Sequence, residues 1–492
     1  MVDDKTKDKS IQKSDYHINW WTMAVLTTVA VASLRSDPAA AFYGLGSIFY
    51  FIVPAIVFLV PTALVSAELA TGWKGGIYVW VREGMGNHWG FTSIWLQWIQ
   101  NVVWYPSQLA FVAAALAYVF LKPDLANSGI YTAIVILVSY WAATFITLKG
   151  NNLFARVGSL SGILGTFIPG IVLVILGIVW LMKGEPSQIE FSWSKVIPPF
   201  TGFASIVLIV SNFLAYAGME MNAVHVDQMK NPMKEFPKAL LAAVLFILAI
   251  FILPTLAIAV AVPSDKLGLT TGINAAFEVF FSHWGVNWLT AVFSLLIVLG
   301  ALASVITWIA GPSKGLFLAG KTGLLPPILQ KENAAGMQEG ILIPQGIIVT
   351  LLAALFVFIP NVSEAFFILI AAAVQLYLIM YILMFISAMR LRRIKPDVKR
   401  SYRVPAMDFV ATVGLIASFL AFILGFVPPS QLTGISPQVY PWIVLLITAV
   451  LGLMPLLIYA VRKPNWCTIS DEKFAELIGD HVTPVSQHLP KK

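Results

Sequence analysis

A single cysteine, Cys467, stands in a chain of 492 residues, which excludes a disulfide framework and any cysteine-based zinc site. Charge is equally scarce. Asp, Glu, Lys and Arg make up 11% of the residues, less than half the roughly 25% of a soluble domain. One large core cannot absorb the apolar remainder, because single cores stop growing at roughly 250–300 residues. With 59% hydrophobic residues and a mean hydropathy of +0.83, the apolar side chains must face lipid. The histidines (His17, His88, His225, His283, His481 and His488) show no metal-ligand spacing. No Ser-His-Asp set is identifiable, and no Gly-rich piece is followed by Lys-Ser or Lys-Thr, so an enzyme is disfavoured. No cofactor and no metal are expected. The net charge of +7 suggests nucleic acid at first sight, but no basic-aromatic motif accompanies it and none is expected to bind.

What is present is a series of apolar stretches of about 20 residues, the length that crosses a ~30 Å hydrocarbon layer. The pattern predicts twelve spans: 19–42, 45–67, 90–121, 130–148, 157–182, 200–224, 238–262, 286–312, 341–359, 363–389, 407–427 and 438–461. Pro38, Pro54, Pro61, Pro169, Pro254 and Pro312 fall inside them, as membrane helices allow when neighbours satisfy the freed backbone groups. The fold class is therefore an all-α membrane protein in contact with lipids. Residues 1–18 form a tail that lacks a signal-peptide cleavage site, 19–461 form the twelve-helix domain, and 462–492 form a second tail. Segments 72–89 and 313–340, with Gly, Trp and Lys/Arg, suit short interfacial helices. Only Lys122, Lys183, Lys195 and Lys266 fall on one side of this map, while the tails and the run from Arg390 to Arg403 fall on the other. By the positive-inside rule both termini are cytoplasmic.

An ionisable residue inside a span is costly, and so is a functional candidate by default. Span one reads ASLRSDP over residues 32–38 and sets Arg35, Asp37 and Pro38 mid-membrane, with Ser33 and Ser36 beside them. Pro38 would cost a continuous helix a hydrogen bond, so the pattern predicts a break whose half-ends expose N–H and C=O groups. The alternative is an Arg35–Asp37 pair that neutralises itself, although residues i and i+2 do not share a helix face. Span six supplies the second polar interruption: Ser211, Asn212, Tyr216, Ala217, Gly218, Glu220 and Asn222. Paired interruptions in two halves mark the substrate site of many transporters. Glu220 could bind a substrate amine, carry a proton, or satisfy a nearby backbone or tyrosine donor. Weaker candidates are Trp308 before Gly311-Pro312, the patch Gln97, Gln100, Asn101, Trp104 and Tyr105 in span three, and Tyr377 with Tyr381 on one face of span ten. Glu68 reads as interfacial or structural.

At these residues the chain resembles the glutamate/γ-aminobutyrate antiporter family of the amino acid–polyamine–organocation superfamily. The resemblance is carried by AELAT (67–71), GGIYVWV (75–81), WGF (89–91), YAGMEMNAVHVDQMKNP (216–232), WIAGPSKG (308–315) and LLP (324–326), over about residues 20–461. It implies ten core helices in two inverted five-helix repeats plus two more, with substrate at the broken first and sixth helices. The unwound parts are then about Ala32–Pro38 and Tyr216–Glu220, and Trp308, Tyr377 and Tyr381 line the cavity. It further implies exchange of external glutamate for the amine left by a cytoplasmic glutamate decarboxylase, in acid resistance, at a bacterial inner membrane. Another amino acid/amine exchanger on the same fold, such as an aromatic pair, is the close rival; a membrane enzyme, channel or sensor is more distant. Arg35, Ser36 and Asp37 depart from the aromatic and acidic residues of better-known members, and Arg35 is expected to favour an acidic substrate side chain. The tail after Tyr459 is shorter than in members whose tail plugs the cytoplasmic path. Acid activation could therefore act through His481 and His488 in that tail or, as the short tail favours, through Glu220 in the membrane.

Overall fold

The computed structural model describes residues 18–150, 163–359, 361–430, 434, 436–478 and 482–488. The regular elements among these residues are helices joined by turns and loops, and extended backbone pairs there only in isolated bridges at Ile18–Met229 and Thr322–Cys467. Most of the N-terminal tail, up to residue 17, and His481 lie outside the described residues.

Among the described residues, eleven helical segments are long and apolar enough to cross a membrane. The expected first span is the one that falls short. It is split into α1 (Trp20–Val31) and α2 (Asp37–Ala41), neither long enough to cross alone. The second span, Gly44–Gly72, passes Pro54 through a π-type turn at Ala55–Leu59 and ends in α3 (Val60–Gly72). A short α4 (Gly76–Met85) leads into the long α5 (Asn87–Val119), followed by α6 (Gly129–Leu148) and α7 (Ile168–Met182). The sixth span, Phe203–Met221, is split between α8 (Val210–Ala215) and α9 (Met219–Asn222). Then come α10 (Pro232–Ala261), the loop helix α11 (Gly272–His283), α12 (Trp288–Lys321), α13 (Glu339–Ala353) and α14 (Val362–Ile394). The last two spans are α15 (Met407–Leu424) and α16 (Tyr440–Val461), and α17 (Asp471–Ile478) lies in the C-terminal tail.

The periodicity explains which faces turn where. On α6, Ile130, Ile134 and Val138 repeat every fourth residue and are exposed, as are Leu241, Leu245 and Leu253 on α10. A stripe of branched apolar residues on the outside is stable only against lipid. The centre is made by α5, on which both α12 and α14 pack, and these helices bury polar side chains among the apolar ones.

Two expectations for the interfacial segments need correction. Segment 72–89 does hold a helix, but α4 is buried from Ile77 to Gly84 and does not lie flat on a surface. It is wedged beside α5 and α14, and a Cβ at Gly84 would sit 2.9 Å from the Ser387 Cβ. Segment 313–340 begins inside a span, because α12 runs straight through Pro312 to Lys321. A proline removes one helical hydrogen bond, here the one the Trp308 carbonyl would accept, and a buried helix tolerates that loss.

The C-terminal tail also takes a definite course. The backbone N–H of Thr468 donates to the Lys321 carbonyl at 2.9 Å, and Phe474 of α17 is buried beneath the Arg82 guanidinium. Arg82 in turn donates to the Thr483 carbonyl at 2.6 Å, and the Thr483 N–H donates to Glu83 at 3.1 Å. Glu83 also pairs with Lys395. Nearby, Arg392 grips Glu68 with both nitrogens, at 2.7 and 2.6 Å, while the Val404 N–H donates to the same carboxylate. Glu68 is thus a structural anchor that holds the 395–404 segment on the end of α3.

Candidate functional site: a cavity between two broken helices

α1 ends because Ala32 and Ser33 adopt extended backbone, with ψ of 125° and 138°. A 3₁₀ turn at Leu34–Ser36 follows, and the Ser33 hydroxyl accepts from the Arg35 N–H at 3.3 Å in the manner of a helix cap. Pro38 sits in the first turn of α2, where its missing N–H costs nothing. The break is therefore narrower than Ala32–Pro38, and the proline starts the second half instead of interrupting the first. The last carbonyls of α1 lack helical donors and carry the negative end of its dipole. Val29, Ala30 and Val31, to which they belong, line the cavity.

The second break lies at Tyr216–Gly218. Gly218 has φ +103°, a conformation that costs any side chain roughly 1–2 kcal/mol. A Cβ there would also come within 3.3 Å of Trp308. Glu220 therefore belongs to the first turn of α9, beyond the unwound residues. The first half of this helix is held against the second span beside Pro54. A proline at 54 leaves the Tyr50 carbonyl without a helical partner, and the Asn212 side-chain amide donates to it at 3.0 Å. Next to it the Tyr216 hydroxyl donates to the Phe51 carbonyl at 2.8 Å.

Between the breaks lies a cavity of about 370 Å³. Of the residues singled out in the sequence, Ser33, Arg35, Ser36, Ala217, Trp308 and Tyr377 line it, as do Gln100, Asn101 and Trp104. Asp37, Tyr216, Gly218, Glu220 and Tyr381 are not in its lining. Tyr216 turns toward Phe51, as described. Glu220 is 3% exposed and accepts three hydrogen bonds: from Tyr377, from Tyr381 at 2.6 Å and from Gln97 at 3.0 Å. Of the three roles open to it, tyrosine acceptor is the one its geometry fills. The Tyr381 oxygen then accepts the Gly218 N–H at 3.1 Å, so that donor of the half-helix is already engaged. The carboxylate thereby ties α9, α14 and α5 together and fixes the ring of Tyr377 in the cavity wall.

Arg35 and Asp37 are both buried, at 4% and 0% exposure, and join no ion pair with each other. The self-neutralising pair is therefore not formed as a contact. Arg35 Nη1 has no hydrogen-bond partner, and its guanidinium lies 6.0 Å from the ring centroids of both Trp104 and Phe366. Both Asp37 carboxylate oxygens are likewise without partners, behind the wall. Among the described residues Arg35 is the one charged side chain lining the cavity. Gln108, Ser304, Thr307 and Thr166 also line it and were not singled out from the sequence. Gln108 had a signal, since Asn101, Trp104, Gln108 and Phe111 follow the three-and-four spacing of one helix face. The others are small hydroxyls of the kind that any membrane helix carries. No group of three His, Cys, Asp or Glu that could hold a metal occurs among the described residues.

Two discontinuous helices facing a cavity of this size inside a bundle of membrane-spanning helices are the arrangement of a multi-pass carrier for small molecules. Residues 18–451 match the amino acid permease family, and the chain belongs to it. Among its relatives, an uncharacterized transporter of Legionella pneumophila is 38% identical over 84% of this chain and 90% of its own. A glutamate/γ-aminobutyrate antiporter of Lactococcus lactis is 31% identical over 95% of this chain and 96% of its own. A probable agmatine/putrescine antiporter of the same species is 25% identical over 82% and 85%. The family is one of transporters, and this chain is an amino-acid transporter spanning the membrane many times.

Proposed function

We propose that the chain exchanges external glutamate for internal γ-aminobutyrate across a bacterial inner membrane, with its Lys/Arg-rich face and both termini in the cytoplasm. A cytoplasmic decarboxylase would convert one substrate into the other and consume a proton, which serves acid resistance. The observation that carries this reading is the unpartnered guanidinium of Arg35 in the cavity. A buried cation without a counter-ion is costly, and an anionic side chain on the substrate removes that cost. The same charge repels the dicationic substrates that agmatine/putrescine exchange requires. The antiporter relative of L. lactis, similar over nearly the full length, supports the same choice. Counterflow in proteoliposomes tests it. Vesicles preloaded with γ-aminobutyrate should accumulate labelled glutamate, and vesicles preloaded with putrescine should not. Accumulation driven by aromatic amines or putrescine alone would overturn the assignment.

The docked tail supplies a pH-sensitive element outside the membrane. Burial, and after it Arg82 and Arg462, hold His488 below its ordinary 6.5, with Glu83 opposing. The docked tail therefore prefers neutral His488. The contribution of His488 to that attachment is fully present above about pH 6.5 and is lost as pH falls below that value. Deleting residues 465–492 should raise exchange at pH 7.5 toward its acid level. An unchanged pH profile would move the sensor into the membrane domain or onto the substrate, with Glu220→Gln the next variant to examine.

A further inference from the structure

Precursor and product of an α-decarboxylation share two groups, the amine and the distal carboxylate; only the α-carboxylate is lost. A carrier that takes both molecules in one site must gain its selectivity from the shared groups. The amine has acceptors at the end of α1, in the carbonyls of Val29 to Val31. The distal carboxylate needs donors, and two buried side chains in the lining have unused hydrogen-bonding capacity. One is Arg35. The other is Gln108, 3% exposed, whose Oε1 has no partner.

Their relation follows from α5. Arg35 lies beside the Trp104 ring, and Gln108 is four residues further along the same face. One turn advances about 5.4 Å, so Gln108 stands a turn beyond the level at which Arg35 meets α5. A primary amide can rotate to present either its oxygen or its two N–H groups. Turned with its N–H groups toward Arg35, it complements a carboxylate that reaches past the guanidinium. Buried glutamines outside the lining are held within the helix packing: the Gln345 oxygen accepts from Trp98 at 2.6 Å, and the Gln375 amide, whose oxygen is also without a partner, donates to the Phe422 carbonyl at 2.8 Å, whereas Gln108 lies in the cavity lining.

We propose that Gln108 is a specificity-determining residue, which together with Arg35 forms the subsite for the distal carboxylate and sets the chain length at which that group is read. The proposal rests on the exchange reading given above. A γ-carboxylate reaches both residues, whereas the shorter β-carboxylate of aspartate reaches Arg35 alone. A hydrogen bond to a charged group contributes about 1.5–3 kcal/mol, so losing it should weaken binding by about tenfold to a hundredfold.

Uptake kinetics in proteoliposomes test this with Gln108→Leu, which keeps the volume and removes the amide. The KM for glutamate and for γ-aminobutyrate should rise by about tenfold or more, with aspartate and the maximal rate little changed. Equal changes for glutamate and aspartate, or no change in either, would overturn the subsite. If Gln108→Leu loses its fold in detergent, Gln108→Asn carries the test. Its amide is one methylene shorter, so preference should move from glutamate toward α-aminoadipate, and an unmoved ratio would overturn the proposal. Failure of the underlying reading is seen separately, on the wild-type protein. If that carries no acidic substrate in counterflow, the exchange assignment falls and takes the subsite with it.

Discussion

Glu220→Ala should abolish transport and melt well below the wild-type protein, whereas Glu220→Gln should retain the fold and much of the activity. This contrast is expected because the carboxylate accepts from three buried donors, Tyr377, Tyr381 and Gln97. Alanine removes both acceptor oxygens and with them all three hydrogen bonds, and each donor left unsatisfied costs about 1–3 kcal/mol. Tyr377, no longer held, is free to swing into the cavity it lines. Glutamine keeps one acceptor oxygen, and its N–H₂ can donate to a tyrosine oxygen once the hydroxyls and the Gln97 amide turn. Thermal melting in detergent and uptake in proteoliposomes read the two variants. Wild-type melting and transport for Glu220→Ala would sink the positioning role. Full folding of Glu220→Gln with complete loss of amine binding would make the carboxylate a direct ligand instead.

Arg35→Ala should cut glutamate uptake on the order of a hundredfold, in line with removing one partner of a buried charged contact. Glutamine uptake, which needs no counter-charge, should fall much less. Stability separates this from a structural role. Breaking a buried ion pair costs about 3–5 kcal/mol, but Arg35 makes no ion pair among the described residues, so its loss should not lower the melting temperature by such an amount. Function and stability pull apart at such a position, since an unpaired buried cation is kept for what it binds. Arg35→Lys should recover only part of the activity, because an ammonium lacks the two-pronged fit to a carboxylate. Equal loss of glutamate and glutamine uptake with normal melting would leave Arg35 no part in selectivity.

Much of the architecture was legible because lipid imposes one-dimensional rules. A span must be about 20 apolar residues whatever its neighbours are, so the twelve stretches could be counted without knowing how they pack. A mid-span Arg35 and a Tyr-Ala-Gly interruption before Glu220 are likewise visible in order along the chain, because both break the requirement that backbone and charge be satisfied inside the membrane. Where the breaks fall was less legible. Pro38 suggests an interruption, but a proline fits the first turn of a helix as well as it breaks the middle of one, and Ser33 was the cap that decided between them.

The directions of the side chains belong to the tertiary structure. Tyr216 and Ala217 are adjacent, yet one turns to the Phe51 carbonyl and the other to the cavity, because the second span packs on one side of the break and the cavity lies on the other. Glu220 and Arg35 are both buried charges inside spans. Only packing against α14 sets the first behind Tyr377, while the second stays unpartnered in the wall. Composition and spacing alone were enough to determine that the chain crosses the membrane about twelve times with two polar interruptions. Which of the polar residues face the cavity depended on hydrogen bonds between segments more than a hundred residues apart, and such partners follow no local periodicity.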